Sequence, residues 1–179
     1  MRFALNTLAL VALAALAFLV FRLVAPITTP PFRDAQGRVR PNSIAVIERW
    51  RINGSVQSVL IRGADVSNPI LVFVHGGPGS SVTPVMRRLN SDLEQHFTVV
   101  YWDQRGAGQS YSLGDRPPAG LSIATYVEDL TEVMTRVRAR FGGRKVLLVG
   151  HSWGTILTLD YARAHPEALS GLVNIGQVA

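Results

Sequence analysis

The hydrophobic pattern changes twice along this chain. Residues 3–25 are apolar apart from Asn6, Thr7 and Arg22 and show no polar face. As a helix rising about 1.5 Å per residue, the run is roughly 34 Å long, enough for a hydrocarbon core of about 30 Å. It predicts one N-terminal transmembrane helix, residues 1–25, contacting membrane lipid through residues 3–25. A cleaved signal peptide is disfavoured, because the run is long and no convincing A-x-A site precedes Pro26. Residues 26–43 then carry four prolines and no apolar period, which predicts a linker, stiff in its Pro-rich half. The third region, residues 44–179, alternates between strand-like and helix-like patterns.

In that region Ile44–Trp50 and Val56–Arg62 flank Asn53-Gly54, a dipeptide that favours the positive-φ turn of a β-hairpin. Residues 69–74 form a continuous apolar run suited to a strand buried on both faces. A helix is predicted over 84–96, with Val85, Met86, Leu89 and Leu93 on one face, followed by a strand at 97–102. Ser122 is placed to cap a long helix reaching Phe141. Its Tyr126, Val127, Leu130, Val133, Met134 and Val137 recur at three- and four-residue spacing. Acidic residues lie toward that helix's start and arginines toward its end, as its dipole favours. Val146–Val149 reads as a strand, Ile156–Ala162 as a helix ending near His165-Pro166, and Leu172–Ile175 as a last strand. Alternating strands and helices predict an α/β domain with a mainly parallel sheet.

Composition narrows the chemistry. The chain of 179 residues has no Cys, which excludes disulfides, thiolate metal sites and a Cys nucleophile. Its net charge of +6 comes almost entirely from scattered arginines, without a nucleic-acid-binding module. Nucleic acid is therefore not an expected partner, and nothing in the sequence calls for a cofactor or a metal. Membrane localisation is expected from the N-terminal run, and the arginines on both sides of it leave the orientation open.

Three glycine-rich stretches follow predicted strands. Gly150-His151-Ser152-Trp153-Gly154 fits G-x-S-x-G between a strand and a helix, the context that gives this motif meaning. A Ser on such a turn is lifted above the sheet, so Ser152 is the candidate nucleophile. Trp153 opens the following helix, so its N–H is an unpaired donor at a positive helix end, suited to an oxyanion. His75-Gly76-Gly77-Pro78-Gly79-Ser80 follows the buried run at 69–74. Pro78 has no N–H, which leaves Gly76, Gly77 or Gly79 as further donors. Asp103-Gln104-Arg105-Gly106-Ala107-Gly108-Gln109-Ser110 follows the strand at 97–102. Asp103 and Arg105 are expected to pair and brace this loop. A role for Asp103 as a triad acid is disfavoured, since it precedes the Ser.

Together, HGGPG, DQRGAGQS and GHSWG resemble the α/β-hydrolase fold, and within it the proline iminopeptidase-like serine hydrolases. The resemblance covers about residues 44–179. It implies Ser152 as nucleophile and the backbone N–H groups of Gly77 and Trp153 as the oxyanion hole. The implied reaction is acyl transfer on a peptide, ester or amide substrate, with an acyl-enzyme released by water. In that family the acid and the base both follow the elbow. Here His165 is the one later histidine, about twelve residues on along a helix that runs away from Ser152, roughly 18 Å off at about 1.5 Å per residue. His151 should point elsewhere, His75 lies in the oxyanion loop, and His96 precedes a strand placed at the far edge of the sheet.

The reading is thus a membrane-anchored serine hydrolase domain, truncated after about six strands, without cap, triad acid or base, and with little turnover of its own. The competing reading is a non-catalytic, membrane-tethered binding protein on a degenerate half-fold. The intact elbow weighs against it.

Overall fold

A computed structural model describes residues 2–24, 27–111 and 121–178. In chain order the elements are α1 (Arg2–Val24), β1 (Ile44–Ile52), β2 (Ser55–Gly63), β3 (Ile70–Val74), α2 (Thr83–Leu89), α3 (Leu93–His96), β4 (Thr98–Asp103), α4 (Ile123–Arg140), β5 (Val146–His151), α5 (Gly154–Ala164) and β6 (Leu169–Ile175). The strands form one sheet in the order β1-β2-β4-β3-β5-β6. β1 and β2 are the predicted hairpin, with Asn53 and Gly54 at φ 44° and 80° in its two-residue turn. β4, β3, β5 and β6 run parallel, so the loops that follow β3, β4 and β5 gather at one end of the sheet.

The strands β3 and β4 are buried along their whole length, which explains the apolar runs at 70–74 and 99–102. One face is covered by α4 and α5. Leu130, Val133, Met134 and Val137 of α4 are fully buried against Val72, Val100 and Trp102. Each such side chain contributes about 1.5–3 kcal/mol over leaving it in water. Ser122 Oγ accepts from the Thr125 N–H at 3.3 Å, the predicted cap. The other face is thinner. The helix expected over 84–96 breaks at Asn90-Ser91-Asp92 into α2 and the four-residue α3, and Val85 and Leu89 stay 55% and 72% exposed. Short polar side chains in series compete with the helical backbone, and the break falls on them. This side retains an apolar cavity of about 420 Å³ between α2, β3 and β5.

The described part of the Pro-rich stretch is more than a spacer. Asp34 Oδ1 accepts from the N–H groups of Gln36 and Arg38, both at 2.9 Å, and closes a turn. Arg62 lies 4.6 Å from the Phe32 ring centre and donates to Thr29 Oγ1 and the Pro30 carbonyl at 2.5 and 2.6 Å. The same guanidinium pairs with buried Glu94 at 2.7 Å, so residues 29–32 are fastened to the sheet. Residues 25–26, where anchor is expected to give way to linker, lie outside the described residues.

The membrane expectation is corrected. Among the described residues no helix is long and apolar enough to cross a membrane. Within α1 the described side chains, all exposed, are those of residues 10–21. The single-pass anchor and the membrane localisation drawn from it are withdrawn.

Candidate active site

The chain leaves β5 at His151 and enters α5 at Gly154, so two residues must reverse its direction. Ser152 makes the turn at φ 51°, a left-handed conformation that costs a non-glycine residue of order 1–3 kcal/mol. It is held there from both sides. The Ser152 N–H donates to the Ile175 carbonyl of β6 at 2.9 Å, and the Ser152 carbonyl accepts from the Thr155 N–H at 2.8 Å and Thr155 Oγ1 at 2.7 Å. The flanking glycines are steric necessities. A Cβ on Gly150 would sit 2.5 Å from Thr158 Oγ1, and one on Gly154 would strike the backbone carbonyls of Val74 and His75. Ser152 itself is half-buried, and its hydroxyl makes no hydrogen bond with the described residues.

The loop after β3 faces it. A Cβ on Gly76 would lie 3.0 Å from Ser152 Cβ, so loop and elbow are in contact. Gly77 has φ 124°, a conformation open essentially to glycine. The N–H groups of Gly77 and Trp153 donate to no described backbone carbonyl. Ser152 and these two N–H groups, unpaired among the described residues, lie in the loops after β3 and β5, at the C-terminal end of the parallel strands, where α/β sheets take their ligands.

His75 fastens this loop and is no base. It is 1% exposed, its Nε2 accepts from the Gln104 N–H at 3.1 Å, and Nδ1 lies 2.7 Å from the Gly76 carbonyl. A ring accepting at Nε2 and facing a carbonyl at Nδ1 must be the neutral Nδ1–H tautomer. Burial lowers its pKa below the ordinary imidazole value.

None of the other histidines hydrogen-bonds the Ser152 hydroxyl among the described residues. His151 Nδ1 is buried without a partner among the described residues and faces Gly76, 3.2 Å from where a Cβ would stand. His165 caps the far end of α5 against Tyr161. His96 ends α3 just before β4, an inner strand, and so lies at the opposite end of the sheet from the elbow and not at its far edge.

The expected Asp103–Arg105 pair does not form. Arg105 makes a two-pronged ion pair with Asp129 of α4, Nε and Nη2 donating at 2.7 and 2.8 Å, and this hydrogen bonding raises its pKa. The chain leaves β4 at Asp103, so residues 103 and 105 no longer share a face as they would in a continued strand. Asp103 instead accepts from Ser81 Oγ at 2.5 Å, Thr83 Oγ1 at 3.1 Å and the Gln109 N–H at 2.8 Å. It braces the loop as expected, through different partners. Asp129 also accepts from Gln57 Nε2 and Asn53 Nδ2 at 2.7 and 3.0 Å. The sequence marked Asp129 only as an acidic residue near a helix start. Its partners lie 24 to 76 residues away, and local spacing carries no sign of them.

The alpha/beta hydrolase fold family matches residues 69–178. A probable aminopeptidase of Bacillus subtilis is 40% identical over 136 residues, which are 76% of this chain and 42% of that protein. A proline iminopeptidase of Neisseria gonorrhoeae is 38% identical over 104 residues, 58% of this chain and 31% of its own length. Among solved structures, a proline iminopeptidase-related protein from Thermus thermophilus superposes with a TM-score of 0.60 at 28% identity, over 73% of this chain and 44% of that one. The chain thus spans less than half the length of these relatives. With residues 69–178 matched and the parallel strands, elbow and flanking helices in place, the chain belongs to the alpha/beta hydrolase fold family, and it is similar to the proline iminopeptidases within it.

Proposed function

We propose that this chain carries the nucleophile and oxyanion hole of a serine hydrolase that cleaves peptide, amide or ester substrates by acyl transfer. Ser152 Oγ attacks the substrate carbonyl carbon, and the oxygen, now anionic, is held by the Gly77 and Trp153 N–H groups. Collapse of this adduct expels the amine or alcohol and leaves an acyl-Ser152 ester, which water hydrolyses. The similarity to an aminopeptidase and a proline iminopeptidase supports a peptide with a free amino end as the substrate class. The observation that carries the reading is Ser152 held at φ 51° beside two undonated amides. Residues 44–178 form the hydrolase unit in this reading, with 27–43 fastened to its edge.

A Ser hydroxyl needs a base, and none of the four histidines stands ready to serve it among the described residues. We assign the base and its orienting acid to the portion of such hydrolases for which this chain has no counterpart. The test is incubation with a fluorophosphonate, with and without imidazole as an external base, followed by peptide mass mapping. The adduct is expected on Ser152, forming about tenfold faster with imidazole. An adduct spread over other serines, or none on Ser152, would overturn the reading.

A further inference from the structure

We infer that Gln104 is a positioning residue that sets the spacing between the two oxyanion donors. The inference rests on the reading of Ser152, Gly77 and Trp153 given above. Gln104 is fully buried and touches both walls of the site. Its backbone N–H donates to His75 Nε2 at 3.1 Å, and its side-chain Nε2 donates to the His75 carbonyl at 2.7 Å. Its Oε1 accepts from the Trp153 indole Nε1–H at 3.2 Å. One residue thus links the start of the Gly76–Gly77 loop to the residue after Ser152.

The orientation of the amide is dictated by its partners. An indole N–H only donates and a peptide carbonyl only accepts, so Oε1 must face Trp153 and Nε2 must face His75. Apart from an amide, only a protonated glutamic acid of this size offers one acceptor and one donor in this arrangement. Tyr126 fixes the indole from its other side, edge-on at 5.8 Å and 87°. The His75 ring, held by the Gly76 carbonyl, passes the constraint to the loop. Loss of the Gln104 bridge frees the loop and the indole to move independently. The two amides then no longer converge on one oxygen, and a displacement of about 1 Å costs on the order of a hundredfold in rate.

Three variants test this, all in buffer with imidazole and at a temperature where near-UV circular dichroism shows each folded. Gln104→Met keeps the length of the side chain and loses both the acceptor for Trp153 and the donor to His75. Trp153→Phe keeps the His75 arm and loses only the indole donor. Val137→Ala lowers stability through the core, far from the site. The readout is the second-order rate of Ser152 phosphonylation beside the melting temperature. Gln104→Met is expected to fall by at least about tenfold and Trp153→Phe by about threefold, with Val137→Ala at the wild-type rate. Rates that stay at the wild-type value in both site variants, or that merely track melting temperature as in Val137→Ala, overturn the role of Gln104. Should Gln104→Met not fold, the Trp153→Phe rate alone decides on the same terms. A wild-type protein unlabelled at Ser152 overturns the nucleophile reading instead, and the inference with it.

Discussion

The loops after β4 and β5 leave the same end of the sheet and are both rich in glycine, yet they treat their polar groups in opposite ways. The loop after β4 satisfies nearly everything it owns. Asp103 gathers three donors, Gln104 bridges His75 and Trp153, Arg105 grips Asp129, and Ser110 Oγ donates to the Asp103 carbonyl at 2.5 Å while accepting from the Ser58 N–H at 2.7 Å. The elbow after β5 instead holds a non-glycine residue at positive φ and leaves the Ser152 hydroxyl and the Trp153 N–H unengaged among the described residues. The first loop is a bracket and the second is the part being held. Unsatisfied, strained groups persist where their surroundings over-determine them, and here the surroundings are the bracket.

The harshest way to break the contrast is Gly154→Val. Its side chain would drive into the Val74 and His75 carbonyls, which are backbone and cannot rotate away. We expect a loss above about 4 kcal/mol, seen as failure to fold cooperatively in urea. Next is the bracket itself. Asp129→Ala strands the buried Arg105 guanidinium and removes the acceptor of Gln57 and Asn53, and is expected to cost about 3–5 kcal/mol in the same titration.

Acid probes the bracket without mutation. Burial holds His75 neutral, so its folded-state pKa lies below that of the unfolded chain, which takes up the proton first as pH falls. Its contribution is complete above about pH 6.5 and is lost as pH drops toward the folded-state value, at up to about 1.4 kcal/mol per pH unit. Urea midpoints between pH 7.5 and 5 should show this slope in the wild type and a shallower one in His75→Asn. The smallest effect has the opposite sign. Ser152→Gly relieves the left-handed backbone and should stabilise the fold by about 1 kcal/mol while abolishing labelling. A destabilised Ser152→Gly would mean that the serine serves the fold, not chemistry.

The same contrast explains what could be read from the sequence. The elbow was legible because its chemistry is local: strand, Gly-x-Ser-x-Gly and helix are adjacent in the chain, and so are the requirements that shape them. The α4 core face was legible for the same reason, its apolar residues recurring along one helix. The bracket was legible only as a motif. Its loop was recognisable, but the partners of Asp103, Gln104 and Arg105 come from Ser81, His75, Trp153 and Asp129, which only the packed sheet brings together. The helix over 84–96 misled because its apolar spacing continued across Asn90-Ser91-Asp92, three short polar residues of low helix propensity at which the structure breaks it. The N-terminal run formed its helix, but helicity and apolar character alone did not make it a membrane span.

The measurement closest to the central claim is the amide spectrum of the protein before and after phosphonylation. With ¹⁵N labelling, the Gly77 and Trp153 resonances should both shift downfield once Ser152 carries the phosphonate, since its oxygen takes the place of the substrate oxyanion between them. A protein phosphonylated at Ser152 in which neither amide moves would contradict the account.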